Sequence, residues 1–289
     1  MEVWSHDRWG IPLPPGHKFP VSKYTLLRQR VERLVTVHES EPVPWDRLAS
    51  VHDGDLLERI RTGALSVREQ RGLGLPWSEA LVERGRRSVG GTLAAARRAL
   101  AHGIGMNLGG GTHHAGRDFA RGYCLFNDVA VTVAALRAER AIASVLVVDC
   151  DVHQGDGTAQ ILGPDPDAFT LSLHGARNYP FERIPSDLDV DLPSGTGDAA
   201  YLDALDAALD TAIAGQDIAF YLAGADPWEG DRLGRLALTK PGLRARDELV
   251  LRRLRGIPTV VVLAGGYAPD VSDTVDINAA TLEAVLALS

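Results

Sequence analysis

Short, continuous apolar runs alternate with amphipathic stretches through most of this chain, and that alternation restricts the fold more than any other feature. The runs are Gly103–Leu108, Ser144–Val148, Ala168–Leu173, Asp217–Leu222 and Pro258–Leu263, each of strand length and bounded by Gly, Pro or charged residues. Helical spacing fills most of the intervals: Asn127–Arg140, Gly155–Leu162, Ala199–Ala214 and Arg244–Arg255. Strands that are apolar on both faces need cover on both sides, so the pattern predicts a mostly parallel β-sheet flanked by helices on both faces. Upstream, a turn-rich head (Pro12, Pro14, Pro15, Gly16, Pro20) precedes two further helical readings, Ser22–Val37 and Trp77–His102. The second is interrupted by Gly90-Gly91. No repeat, low-complexity tract or linker divides the 289 residues, so the expectation is a single α/β domain over 1–289.

Composition narrows the function classes. Net charge is -8, a poor match to phosphate backbones, so direct nucleic-acid binding is not expected. The same negative field would favour encounter with a basic tail or a polyamine. Cys124 and Cys150 are too few for a disulfide scaffold or a cysteine-based zinc site and read as reduced core thiols. No apolar run reaches the roughly 20 residues that span a bilayer, and Met1–His6 lacks the pattern of a signal peptide. The expectation is a cytoplasmic protein without membrane contact.

Chemistry gathers after the strands. Val145–Val148 runs into Asp149-Cys150-Asp151-Val152-His153, Phe220–Leu222 into Ala223-Gly224-Ala225-Asp226, and Val260–Leu263 into Ala264-Gly265-Gly266-Tyr267. Met106–Leu108 runs into Gly109-Gly110-Gly111-Thr112-His113-His114. Ligands of open α/β sheets bind beyond the carboxyl ends of the strands, so these segments share one rim. Asp151 and His153 alternate along one face, and Asp226 joins them from another strand. Two carboxylates and one imidazole make a three-ligand site with an open position, suited to catalytic zinc and also to iron(II). Strand-end carboxylates equally serve as helix caps or solvated surface groups. His113 and His114 are adjacent loop histidines with two acids, Asp149 and Asp156, available to fix their tautomers. Tyr267 follows two glycines and is either a core aromatic or a phenol aimed at a carbonyl oxygen on which charge develops.

Taken in order, Gly110–His114, Gly122–Asp128, Asp149–Gly157, Gly224–Asp226 and Gly265–Tyr267 resemble the signature segments of the zinc-dependent histone deacetylases, within the arginase/deacetylase fold. The resemblance runs from about His17 onward. His153-Gln154-Gly155, Glu229–Gly234 and Arg246–Val250 are similar to class IV members, from whose human representatives Asp156 departs by being an acid rather than an amide. A bacterial class IV relative fits this pattern. The resemblance implies a single deacetylase-like catalytic domain, zinc on Asp151, His153 and Asp226, and His114 with Asp156 as general base and acid. It implies that His113 with Asp149 stabilises the transition state and that Tyr267 polarises the scissile carbonyl. It further implies a narrow channel lined by Gly122, Tyr123, Tyr179 and Leu233, and a structural potassium held at Asp149, Asp151, His153, Ser172 and Leu173. The two-manganese arginase branch is set aside, because Pro227 and Trp228 follow Asp226 where more carboxylates are needed. Those two bulky residues are also candidates for reshaping the pocket.

The activity implied is hydrolysis of an N-acylated lysine, with acetyl or a long fatty chain as the acyl group. An acylated small amine such as an acetylpolyamine is the alternative substrate, and a metal-binding module without turnover is the alternative outside enzymes. His6, His17, His38, His52 and His102 carry no assignment and read mostly as surface or loop residues. His174 reads equally as a rim residue or as strand-end packing.

Overall fold

The computed structural model describes residues 1–288. The chain begins with β1 (Glu2–Ser5), α1 (Ser22–Val31), β2 (Thr36–Glu39), α2 (Trp45–Ala49), α3 (Gly54–Thr62), α4 (Val67–Leu73) and α5 (Glu79–His102). The regular part follows as β3 (Ile104–Asn107), α6 (Asp128–Ala138), β4 (Val145–Asp149), α7 (Asp156–Leu162), β5 (Ala168–Gly175) and β6 (Leu188–Leu192). It closes with α8 (Asp198–Ala212), β7 (Ile218–Leu222), α9 (Lys240–Arg253), β8 (Thr259–Val262) and α10 (Val271–Leu288). All the apolar runs read as strands are strands. The sheet order is β2-β1-β3-β8-β7-β4-β5-β6, and every neighbouring pair is parallel.

Alternation within single strands builds two cores. Val145, Val147, Phe220, Leu222, Val260 and Val262 face α5 and α6, while Leu146, Val148, Ala219, Tyr221 and Val261 face α8, α9 and α10. Side chains buried this fully are worth roughly 1.5–3 kcal/mol each for the larger aliphatics and aromatics. The topology lays β8 and β7 between β3 and β4. The loops after β3, β8, β7 and β4 therefore converge on one end of the sheet.

The sequence reading departs from this structure at the periphery. The helix expected over Ser22–Val37 stops at Val31, because the backbone from Thr36 pairs with β1, Val37 opposite Val3. The expected interruption at Gly90-Gly91 does not occur, and α5 runs unbroken through both glycines. A Cβ at Gly90 would collide with the Glu41 carbonyl oxygen, and one at Gly91 would lie 2.5 Å from Ser40 Oγ. The glycines there admit the 40–41 backbone against the helix. Strands β1, β2 and β6, the short helices α2, α3 and α4, and α10 carry no sequence assignment, and the sheet is wider than the central runs alone indicate.

Candidate active site

Asp149 closes β4, and the chain beyond it stays irregular to Gly155, where α7 starts at Asp156. Side chains alternate through this stretch. The Asp151 carboxylate accepts from the His153 amide at 3.0 Å and lies 2.9 Å from His153 Nδ1, while its other oxygen accepts from the Gly265 amide at 2.7 Å. Asp226, beyond β7, accepts from the Val152 amide at 3.0 Å. Asp151, His153 and Asp226 are all buried and offer ligand atoms within 4.8 Å of one another. They are the one such His/Cys/Asp/Glu cluster among the described residues. Gly265 is required beside them, because a Cβ there would run into the Asp226 carboxylate.

The donor set fits a divalent ion. Asp226 Oδ2 is buried without a hydrogen-bond donor, 3.3 Å from His153 Nδ1. Burial, then the Asp151 charge, pushes the Asp226 carboxyl up to about 7. Burial alone would lower His153, but the Asp151 hydrogen bond and the charges of Asp226 and Asp151 carry it up to about 10. Two buried carboxylates with an unmet acceptor demand a cation between them, and an oxygen and nitrogen set of three is what zinc or iron(II) takes.

His113 and His114 reach the same place from the loop after β3. Asp128, first residue of α6, holds that loop by accepting from the Gly111 amide at 3.0 Å, the Thr112 amide at 2.8 Å and the Thr112 hydroxyl at 2.6 Å. His113 Nδ1 lies 2.6 Å from Asp149 Oδ2, and His114 Nδ1 pairs with Asp156 Oδ1. The two rings stand 4.1 Å apart. They are electrostatically unlike. Burial works to lower His113, but the Asp149 and Asp151 charges outweigh it and push the ring up to about 9. Burial and the neighbouring charge of His113 lower His114 to about 4 against the pull of Asp156. Separated values of this kind divide two like groups into a fixed cation and a neutral base.

A cavity of about 530 Å³ opens onto these groups, within the range of small-molecule sites. Gly122, Tyr123, Tyr179, Leu233 and Tyr267 line it together with His113, His114, Asp151 and His153. Gly122 has φ 55° and packs so closely that a Cβ would sit 2.5 Å from the His114 ring. Tyr123 also has positive φ, 65°, a conformation uncommon outside glycine, and its amide is tied to the Leu73 carbonyl at 2.8 Å. The Tyr123 ring is 5.7 Å from that of Tyr267, and the Tyr179 ring meets His114 edge-on at 4.9 Å. Burial holds the Tyr267 phenol well above 10, so it remains a donor. Asp231 accepts from the Tyr267 amide at 2.6 Å and the Leu233 amide at 2.7 Å, which joins two walls of the channel.

The candidate potassium residues meet at the β4–β5 ladder. Asp149 is the register partner of Ser172, and Leu173 follows it, both buried. Ser172 Oγ lies 2.9 Å from His174 Nδ1, so His174 is strand packing and not rim. Pro227 and Trp228 do not line the cavity; Trp228 bridges to Leu238.

Residue types alone concealed several participants. Arg121 makes a two-pronged ion pair with the second oxygen of Asp156, its Nε at 2.6 Å. His52 is buried, not superficial; it contacts the Gly116 carbonyl at 2.8 Å and accepts from the Asn127 amide at 3.0 Å. His6 and Lys23 are buried too, with Lys23 Nζ on the Ala264 carbonyl at 3.3 Å. Asp128 lay inside a quoted motif, but only the loop geometry shows what it holds.

The histone deacetylase domain family matches residues 17–282. The chain belongs to that family. Among relatives of this histone deacetylase domain, an uncharacterized protein of Picosynechococcus sp. is 39% identical over 93% of each chain. Histone deacetylase 2 of Arabidopsis thaliana is 36% identical over 63% of this chain, and a probable deacetylase of Methanothermobacter thermautotrophicus is 30% identical over 64%. The matched segments span 49% and 60% of those two relatives' own lengths. A crystal structure of an HDAC homolog from Aquifex aeolicus superposes with TM-score 0.81 at 22% identity, covering 98% of this chain and 83% of that one. Acetylpolyamine aminohydrolase from Burkholderia pseudomallei does so with TM-score 0.80 at 22% identity, covering 100% and 99%. These two likenesses identify the fold as that of the arginase/deacetylase proteins.

Proposed function

We propose that residues 1–289 form one catalytic domain that hydrolyses the amide of an N-acylated lysine or a related acylated amine, using zinc, or iron(II), on Asp151, His153 and Asp226. The observation that carries this reading is the buried three-ligand cluster facing two carboxylate-held histidines across one cavity. A divalent ion there supplies Lewis-acid polarisation of the carbonyl and activation of water.

The chain's own residues account for the rest. His114, neutral and oriented through Nδ1 by Asp156, presents Nε2 to take the proton of the attacking water and return it to the departing amine. His113, kept cationic by Asp149, offsets negative charge in the transition state. Tyr267 donates its hydroxyl to the carbonyl oxygen as charge develops. Gly122, Tyr123, Tyr179 and Leu233 confine the acylated side chain and exclude water. A potassium ion at Asp149, Asp151, His153, Ser172 and Leu173 belongs to the same proposal, as does nearest kinship with class IV enzymes of bacterial type.

Leu75, Leu81, Leu125 and Phe126 line the same cavity, and this apolar lining supports acyl groups longer than acetyl. A cytoplasmic location suits the two cysteines, both free and buried. No described helix is long and apolar enough to cross a membrane. The test is hydrolysis of lysine peptides carrying acetyl, octanoyl and myristoyl groups, with and without a chelator. Chelator-sensitive turnover rising with chain length is expected. A metal-loaded protein inert toward every peptide and toward acetylated polyamines would overturn the reading.

A further inference from the structure

The mouth of the cavity carries the opposite charge to the molecule. Arg71, at the end of α4, Arg177, after β5, and Arg235, before α9, all line the cavity and are exposed. None of the three side chains has an ion pair or a hydrogen bond to any described residue. Most other arginines of this chain are tied down: Arg121 to Asp156, Arg183 to Asp191, Arg244 to Glu248 and Arg253 to Asp206 and Asp210. Deeper in the cavity Lys23 and Arg84 add buried cations, and one Arg84 nitrogen has no partner. Asp151, committed to the metal cluster, is the single carboxylate among the lining residues. Two acids stand close to the lining in sequence: Glu182, exposed and next to Phe181, is one carboxylate against three guanidiniums, and Asp231 spends its oxygens on the amides of Leu233, Gly234 and Tyr267.

A net charge of -8 spread over the surface sets the far field, but low-dielectric walls lined by one sign set the field inside a cleft. Unpaired guanidiniums at an entrance repel an incoming cation and offer forked donors to a carboxylate or phosphate. The side chain most exposed beside them, Phe181 at 87%, adds apolar surface.

We propose that this hydrolase takes acylated amines whose leaving portion is anionic, with one or more carboxylates close to the scissile amide, and discriminates against polyamines and basic tails. This deepens, and rests on, the hydrolase reading above. The carboxylates belong either to acidic residues flanking an acyl-lysine or to a free acylated amino acid.

The test uses the metal-loaded full chain. Labelled acyl-lysine peptides of one length, flanked by Asp, Asn or Lys, are titrated by fluorescence anisotropy and assayed for hydrolysis in parallel. Nα-blocked acyl-lysine with a free carboxylate and its neutral amide form the small-molecule arm, read by competition. Binding about tenfold tighter for Asp-flanked than for Lys-flanked peptide is expected at low salt, with the gap closing at high salt. A free carboxylate that outcompetes its amide by a similar factor while the peptides show the same order assigns the preference to charge and not to source. Arg71→Gln, Arg177→Gln and Arg235→Gln should each narrow the gap, with thermal melts confirming that each folds. Equal or reversed binding order overturns the inference. The expected binding order with no hydrolysis of any substrate supports the anionic preference and refutes the hydrolase reading separately.

Discussion

Tyr267 bears the sharpest prediction at the scale of one residue, because its phenol is held protonated and its loop is pinned independently through the backbone amide on Asp231. On the proposed role of oxyanion donor, Tyr267→Phe should lower kcat by about 100-fold or more. Metal content by elemental analysis should be unchanged, since the phenol is not among the cluster's ligands. His52 gives a second prediction, on stability. Burial lowers its pKa to about 4, so between pH 6.5 and 4 the unfolded chain binds a proton that the folded chain refuses. Stability is therefore lost as pH falls, by about 3 kcal/mol by pH 4 from this group alone at ~1.36 kcal/mol per unit. His6, also lowered by burial, adds to the same loss. Urea titrations at pH 7 and 5 should show the fall, and His52→Gln should flatten it. An equal fall in the variant would place the effect elsewhere.

Glycine behaves differently in an element than in a peptide, and α5 shows how. In an exposed helix interior Gly→Ala stabilises by about 1 kcal/mol. At Gly90 the Glu41 carbonyl occupies the place of a Cβ, so Gly90→Ala should destabilise by about 2 kcal/mol or more. The check is the urea midpoint at unchanged slope; a stabilised variant would mean that the 40–41 segment moves aside freely. Gly105 on β3 is constrained in the same way by the Ala95 carbonyl of α5. Close helix–strand approach at these two points seats β3, and with it the loop that delivers His113 and His114.

At the scale of the whole molecule, one buried cation joins the core under α9 and α10 to the site. Arg246 of α9 is fully buried, donating to the Gly224 carbonyl at 2.6 Å, the Cys150 carbonyl at 3.3 Å and Asp247 at 2.8 Å. Asp247 in turn accepts from Tyr221 at 2.5 Å and Thr281 at 2.6 Å, so β4, β7, α9 and α10 share one network. Arg246→Met leaves Asp247 buried without its countercharge and should cost about 3–5 kcal/mol. Because Cys150 precedes Asp151 and Gly224 packs against both Asp151 and Asp226, the proposed metal ligands, the variant should also hold metal less tightly. A thermal melt and a chelator titration measure the two losses. For the wild type, a single transition whose midpoint drops on chelation is expected, since an ion on the proposed cluster would stabilise the folded state.

Order along the chain determined much of this protein. Alternating apolar runs and amphipathic segments specified a covered parallel sheet, because strands buried on both faces have no other stable surroundings. The strand-end motifs Asp149–His153, Gly224–Asp226, Gly110–His114 and Gly265–Tyr267 carry the candidate site residues in plain sequence order. Tertiary structure decided what local pattern does not encode. Edge strands β1, β2 and β6 exist only through pairing, and Gly90-Gly91 packs instead of breaking a helix because a distant backbone lies against it. Arg121, His52 and Asp128 acquire their roles from partners 35, 64 and 16 positions away. The charge of the cavity mouth is likewise invisible in a net charge of -8, because a local field depends on which residues fold to the same opening.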